Sequence, residues 1–81
     1  MKISVNSTKK NLIGGHIRDL RLANRLTQYQ MAAKLQLEGY NFSELTILRI
    51  EKGQRLVTDV ELKILCEFFG VSPNILLDFP S

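Results

Sequence analysis

The chain has 81 residues, with 11 Lys and Arg against 8 Asp and Glu, for a formal net charge of +3 at pH 7. That length fits one domain and no more; the 44% apolar content excludes general disorder, and no apolar run approaches the roughly 20 residues that cross a bilayer. A single cysteine, Cys66, excludes an internal disulfide and a cysteine-based metal cluster.

Residues 1–10 are rich in Ser, Asn and Lys and read as an N-terminal arm, flexible or briefly extended. They contain no signal-peptide core, so a soluble cytoplasmic protein without membrane contact is expected. The domain proper is expected over 11–79. Its first helix runs from about Leu12 to Asn24, with Asn11 as N-cap and Ile13, Ile17 and Leu20 forming one apolar stripe. Gly14 and Gly15 weaken its first turn by roughly 1 kcal/mol each relative to Ala, and they permit close backbone approach.

A second helix starts at Thr27, where Thr27-Gln28-Tyr29-Gln30 is a capping box. Met31, Ala32 and Leu35 supply its buried face, and it ends near Gln36. Leu37 to Phe42 form a turn in which Gly39 and Asn41 suit positive φ. Ser43 caps a third helix with Ile47 and Ile50 inward, and Gly53 stops it. Thr58-Asp59-Val60-Glu61 opens a fourth helix as a second capping box, with Val60, Ile64, Leu65 and Phe68 at helical spacing and Gly70 at its end. Ser72-Pro73 starts a short fifth helix carrying Ile75, Leu76 and Leu77. Five short helices without a strand pattern describe an all-α orthogonal bundle.

Chemistry-bearing residues are sparse. Cys66 sits in an apolar segment and reads as a buried small hydrophobe. His16, the single histidine, reads as a surface residue without a catalytic or metal-binding companion. No glycine-rich phosphate loop is present. The chain is therefore not expected to be an enzyme or to use a metal or other cofactor. Basic residues gather in the first half and again at Arg49, Lys52 and Arg55, whereas Asp59, Glu61, Glu67 and Asp78 collect near the end. The C-terminal third is expected to face away from a polyanion. Tyr29 and Tyr40 read as packing or rim residues rather than a stacking platform for single strands.

Four segments carry a family resemblance, in order. They are Ile17-Arg18-Asp19-Leu20-Arg21, then Leu26-Thr27-Gln28 with Met31-Ala32-Ala33-Lys34-Leu35. They continue with Ser43-x-x-Thr46-Ile47-x-Arg49-Ile50-Glu51-Lys52-Gly53 and end with Leu65-x-x-Phe68-Phe69-Gly70-Val71-Ser72-Pro73. The span from Ile13 to Leu77 resembles the Cro/phage-repressor-type (XRE family) helix-turn-helix domains, in a form whose turn before the third helix is longer than usual. The resemblance implies a lambda-repressor-like five-helix fold. It also implies a sequence-specific regulator of transcription that binds double-stranded DNA, a repressor in a bacterial or phage setting.

In that family the third helix enters the major groove. Carried over by position, the resemblance implies Glu44, Leu45, Thr46 and Arg49 as base readers. Arg49 would pair with guanine, Glu44 would accept from the cytosine amino group, and Leu45 and Thr46 would pack on a thymine methyl. It implies Thr27, Gln28, Lys34, Lys52, Gln54 and Arg55 as phosphate contacts, with Lys9 and Lys10 adding a contact from the arm. Arg21 and Glu51 match a structural ion pair. Leu45 and Leu48 stand where polar side chains are usual, and three readings remain open: cover by Tyr40 or Phe42 of the long turn, thymine-methyl contact, or a protein partner. The last would make the chain an antitoxin-like or accessory protein-interaction module on the same fold. A homodimer is expected through Leu76, Leu77 and Phe79, because the tail is more apolar than one short helix needs.

Overall fold

Why helices start where they do is written in four side chains. The structure, a computed structural model, describes residues 9–78, so the arm before Lys9 and the expected contribution of Phe79 lie outside the described residues. The elements are α1 (Gly14–Ala23), α2 (Gln28–Leu37), α3 (Glu44–Glu51), α4 (Asp59–Phe69) and α5 (Pro73–Leu76). Both expected capping boxes form. Thr27 Oγ1 accepts from the Gln30 amide at 3.0 Å while Gln30 Oε1 accepts from the Thr27 amide at 2.9 Å. Thr58 and Glu61 repeat the exchange at 3.1 and 3.0 Å. Ser43 Oγ accepts from the Thr46 amide at 3.0 Å. Each cap satisfies a donor that the helix itself leaves open, worth about 1 kcal/mol against Ala.

Asn11 acts as a cap from further back than expected. The helical turn begins at Gly14, with Ile13 in the N-cap position. Asn11 Oδ1 still takes the amides of Ile13 and Gly14 at 3.1 and 2.8 Å. Its Nδ2 donates to the carbonyls of Ile50 and Arg55 at 3.1 and 2.9 Å. One side chain thus caps α1 and fastens it to the end of α3. Gly14 completes the joint: a Cβ there would run into the carbonyl oxygens of Ile50 and Glu51, whereas one at Gly15 would meet open space.

α3 packs on both α1 and α2, and α4 packs on α5. Ile17, Met31, Leu35, Ile47, Ile50, Leu65 and Leu76 are fully buried, so every helix contributes to one core. Gly39 takes positive φ (+91°) in the long turn, as does Gly53 (+70°) after α3; Asn41 does not, and the turn needs only the glycine.

Two expectations are corrected. The α4 stripe loses its first member: Leu65 is buried and Ile64 and Phe68 pack against the core, but Val60 is 63% exposed. Val60 falls in the first turn, at the edge of the core. Leu76, expected at a dimer contact, has 0% exposure. It is the side chain with which α5 closes the core, which removes it from any interface. Leu77 is half-buried and packs against that core, and Ile75 is the exposed apolar residue of α5.

Candidate nucleic-acid interface

The outward face of α3 follows from its inward one. With Ile47 and Ile50 in the core, helical geometry puts Leu45, Leu48, Arg49 and Lys52 on a common outer strip, at i, i+3, i+4 and i+7. Leu45 and Arg49 are exposed and Leu48 is half-buried. Lys52, the C-cap residue of α3, is exposed as well. Thr46 lies nearer the core side. It is half-buried, and its Oγ1 is 2.9 Å from Ser43 Oγ. Of the four expected base readers, the structure therefore brings Leu45 and Arg49 together on the strip. It sets Glu44 at the entrance to the helix and turns Thr46 toward the cap.

Cations divide into committed and uncommitted ones. Arg21 donates from Nε and Nη2 to the two carboxylate oxygens of Glu51 at 2.6 and 3.0 Å, and from Nη1 to the Leu26 carbonyl at 2.8 Å. This is the expected structural pair, with side chains only 10% and 3% exposed. Gln28 joins it, donating to Glu51 Oε1 at 3.1 Å, so this expected phosphate contact is tied to the ion pair. Arg55 is likewise held: its two Nη groups donate to Glu61 at 2.8 and 2.9 Å. Those bonds hold the Glu61 carboxyl below the usual glutamate range against the opposing effect of burial, with the Thr58 amide assisting. They also raise the already high pKa of Arg55. Arg18, Arg25, Arg49 and Lys52 make no ion pair among the described residues.

Arg18 and Arg25 line one shallow groove with Thr27, Gln28 and Glu44. These two arginines were not singled out as site residues by sequence. Their charge was visible there, but their position beside the α3 entrance depends on how α1 meets α2. Arg25 sits in that connection with positive φ (58°). Lys34 is placed elsewhere, on the other flank of α2, beside Glu38, Phe68 and Phe69. At the opposite end of α3, the Lys10 amide donates to the Gly53 carbonyl at 2.8 Å. The Lys9 side chain lies against Gly53. The segment entering α1 therefore runs past the end of α3, next to Lys52 and Gln54, and Gln54 is exposed there.

His16 Nε2 meets Asp78 Oδ2 at 2.9 Å, tying α1 to the residue after α5. Burial pushes the Cys66 thiol up, with Glu67 adding to the effect. No group of His, Cys, Asp and Glu among the described residues is arranged to hold a metal ion. No helix among them is long and apolar enough to cross a membrane.

Comparison with known proteins adds to this geometry. A family described as a helix-turn-helix domain matches residues 12–77. The crystal structure of the DNA-binding domain of BldD superposes with a TM-score of 0.73 at 26% identity, covering 90% of this chain and 99% of that one. The S. venezulae BldD DNA-binding domain superposes with a TM-score of 0.73 at 27% identity, covering 88% and 99%. No curated protein matches the chain.

Proposed function

The chain belongs to the helix-turn-helix domain family, and from that premise we propose that it is a sequence-specific, double-stranded DNA-binding regulator of transcription, acting as a repressor. The observation that carries this reading is the outer strip of α3. Arg49 and Lys52 stand there with no ion-pair partner among the described residues, while Arg21 and Arg55 are consumed by carboxylates. The similarity to a domain whose name states DNA binding supports the same reading.

In this reading α3 enters the major groove. Arg49 pairs with guanine from the exposed face, and Glu44 accepts from a cytosine amino group at the helix entrance. Phosphates on one side meet Thr27, Arg18 and Arg25; on the other they meet Lys52, Gln54, Lys9 and Lys10, while the Gln28 and Arg55 side chains stay with Glu51 and Glu61. The amides of Gln28 and Tyr29 at the start of α2 add donors that the capping box leaves open. Lys34, on the far flank of α2, drops out of the contact set, and Thr46 gives way to the strip residues.

Selection of DNA from a random library, followed by binding measurements on the recovered site, tests the proposal. Arg49→Ala relaxes preference at one base pair, at a cost of about 1–3 kcal/mol. Lys52→Ala weakens all sequences alike and lowers the salt slope by about 1. Binding unchanged in both variants would rule out this docking mode. Exposure of Leu45 keeps a protein-interaction module as the second reading, and it predicts a library selection that recovers no motif.

A further inference from the structure

Leu45 and Leu48 are apolar side chains on the face that the proposed function turns toward DNA. Cover by the long turn does not account for Leu45, and Leu48 is only half-buried. Phe42 is buried in the core and Tyr40 packs against that same core, while Leu45 keeps 50% of its surface exposed. Thr46, which also carries a methyl, is half-buried off the strip, with its hydroxyl held by Ser43.

What surrounds the two leucines decides what they meet. Arg49 and Lys52 share their strip, and Arg18 and Arg25 line the groove at the α3 entrance together with Glu44. None of these four cations has a carboxylate partner among the described residues. An apolar patch bordered by uncommitted cations fits a polyanion that displays apolar groups between its charges. The major groove of DNA offers one such group, the C5 methyl of thymine. A leucine pressed against cytosine at the same place would instead strip water from the N4 amino group without replacing its hydrogen bond.

We propose that Leu45 and Leu48 read thymine C5 methyl groups beside the guanine engaged by Arg49, so that part of the operator preference is for a methyl and not for a hydrogen bond. This rests on the placement of α3 in the major groove. It goes beyond that placement by assigning Leu48 a reading role and by stating the chemistry read.

The test replaces each thymine of a library-selected operator by deoxyuridine, which removes only the methyl. The full chain should bind about fourfold more weakly for each contacted methyl removed. Leu45→Ala combined with Leu48→Ala should bind thymine and deoxyuridine operators equally, and Arg49→Ala should keep the methyl sensitivity. Leu45→Ala alone, at the more exposed site, guards against a folding defect when its thermal melt matches wild type; it should lose part of the sensitivity. A selected operator indifferent to every methyl would overturn the proposal while leaving the DNA-binding reading intact. Unchanged methyl sensitivity in the leucine variants would also overturn it and turn the patch toward a protein partner. A selection that yields no motif would instead overturn the reading on which the proposal rests.

Discussion

Three arginines of equal charge have three different fates, and only their neighbours separate them. Arg49 is exposed on the α3 strip. Arg21 is locked between Glu51 and the Leu26 carbonyl, with its partner carboxylate almost wholly buried. Truncating Arg21 strands that carboxylate with Gln28 as its remaining donor. Arg21→Ala should therefore cost about 3–5 kcal/mol, a large share of the roughly 4–12 kcal/mol expected for a domain of this size. Thermal unfolding followed by circular dichroism would show it as a collapse of the melting transition. Arg55 is fastened to Glu61, which simultaneously closes the α4 capping box. The folded Glu61 carboxyl titrates below its unfolded value of about 4.3, so its contribution is whole above that pH and is lost as pH falls through the lower folded value. Glu61→Gln should flatten the acid limb of the stability profile relative to wild type; urea unfolding across pH 2–7 measures it.

Element starts were readable because a cap is local chemistry. Thr27, Ser43 and Thr58 each sit three residues from the amide they accept from, and all three do so. Element edges were less readable. The α4 spacing placed Leu65 inward with Ile64 and Phe68 against the core, and only the packing shows that Val60, at the start of the same stripe, stands outside it. The two glycines of α1 are alike in sequence and opposite in role. Gly14→Ala drives a Cβ into the α3 carbonyls and should destabilise by about 1–3 kcal/mol. Gly15→Ala adds a methyl in open space and should stabilise by roughly 0.5 kcal/mol. Chemical denaturation of the two variants should move the midpoint in opposite directions; a shared direction would refute the α1–α3 joint.

At the scale of the molecule, basic residues frame both ends of α3, while Asp59 and Glu67 lie on α4 with Lys63 between them, beside the start of α5. The separation fits a polyanion approaching from the α3 side. Pairing of two copies through the C-terminal end has to use Ile75, 53% exposed, and the half-buried Leu77, because Leu76 is internal. Equilibrium sedimentation at high micromolar concentration checks this: wild type should show a dimer, and Ile75→Asp should return it to monomer. A wild-type monomer would remove the C-terminal pairing.

By itself the sequence determined the five-helix architecture and the starts of α2, α3 and α4, and its family resemblance implied the Arg21–Glu51 pair. These depend on short spacings, on side-chain oxygens near open amides, and on motifs held within Ile17 to Pro73. Only the tertiary structure decided which expected site residues share a face. Lys34 and Gln28 occupy one helix, yet Lys34 faces Phe68 and Phe69 while Gln28 reaches Glu51 across to α3. Arg55 is spoken for by Glu61, and Leu76 fills the core instead of a partner's surface. These outcomes depend on which helices meet and at what rotation, a property of packing between segments distant in sequence. The α3 strip marks the same boundary: its spacing was legible in the chain, and its surroundings of uncommitted cations only in the fold.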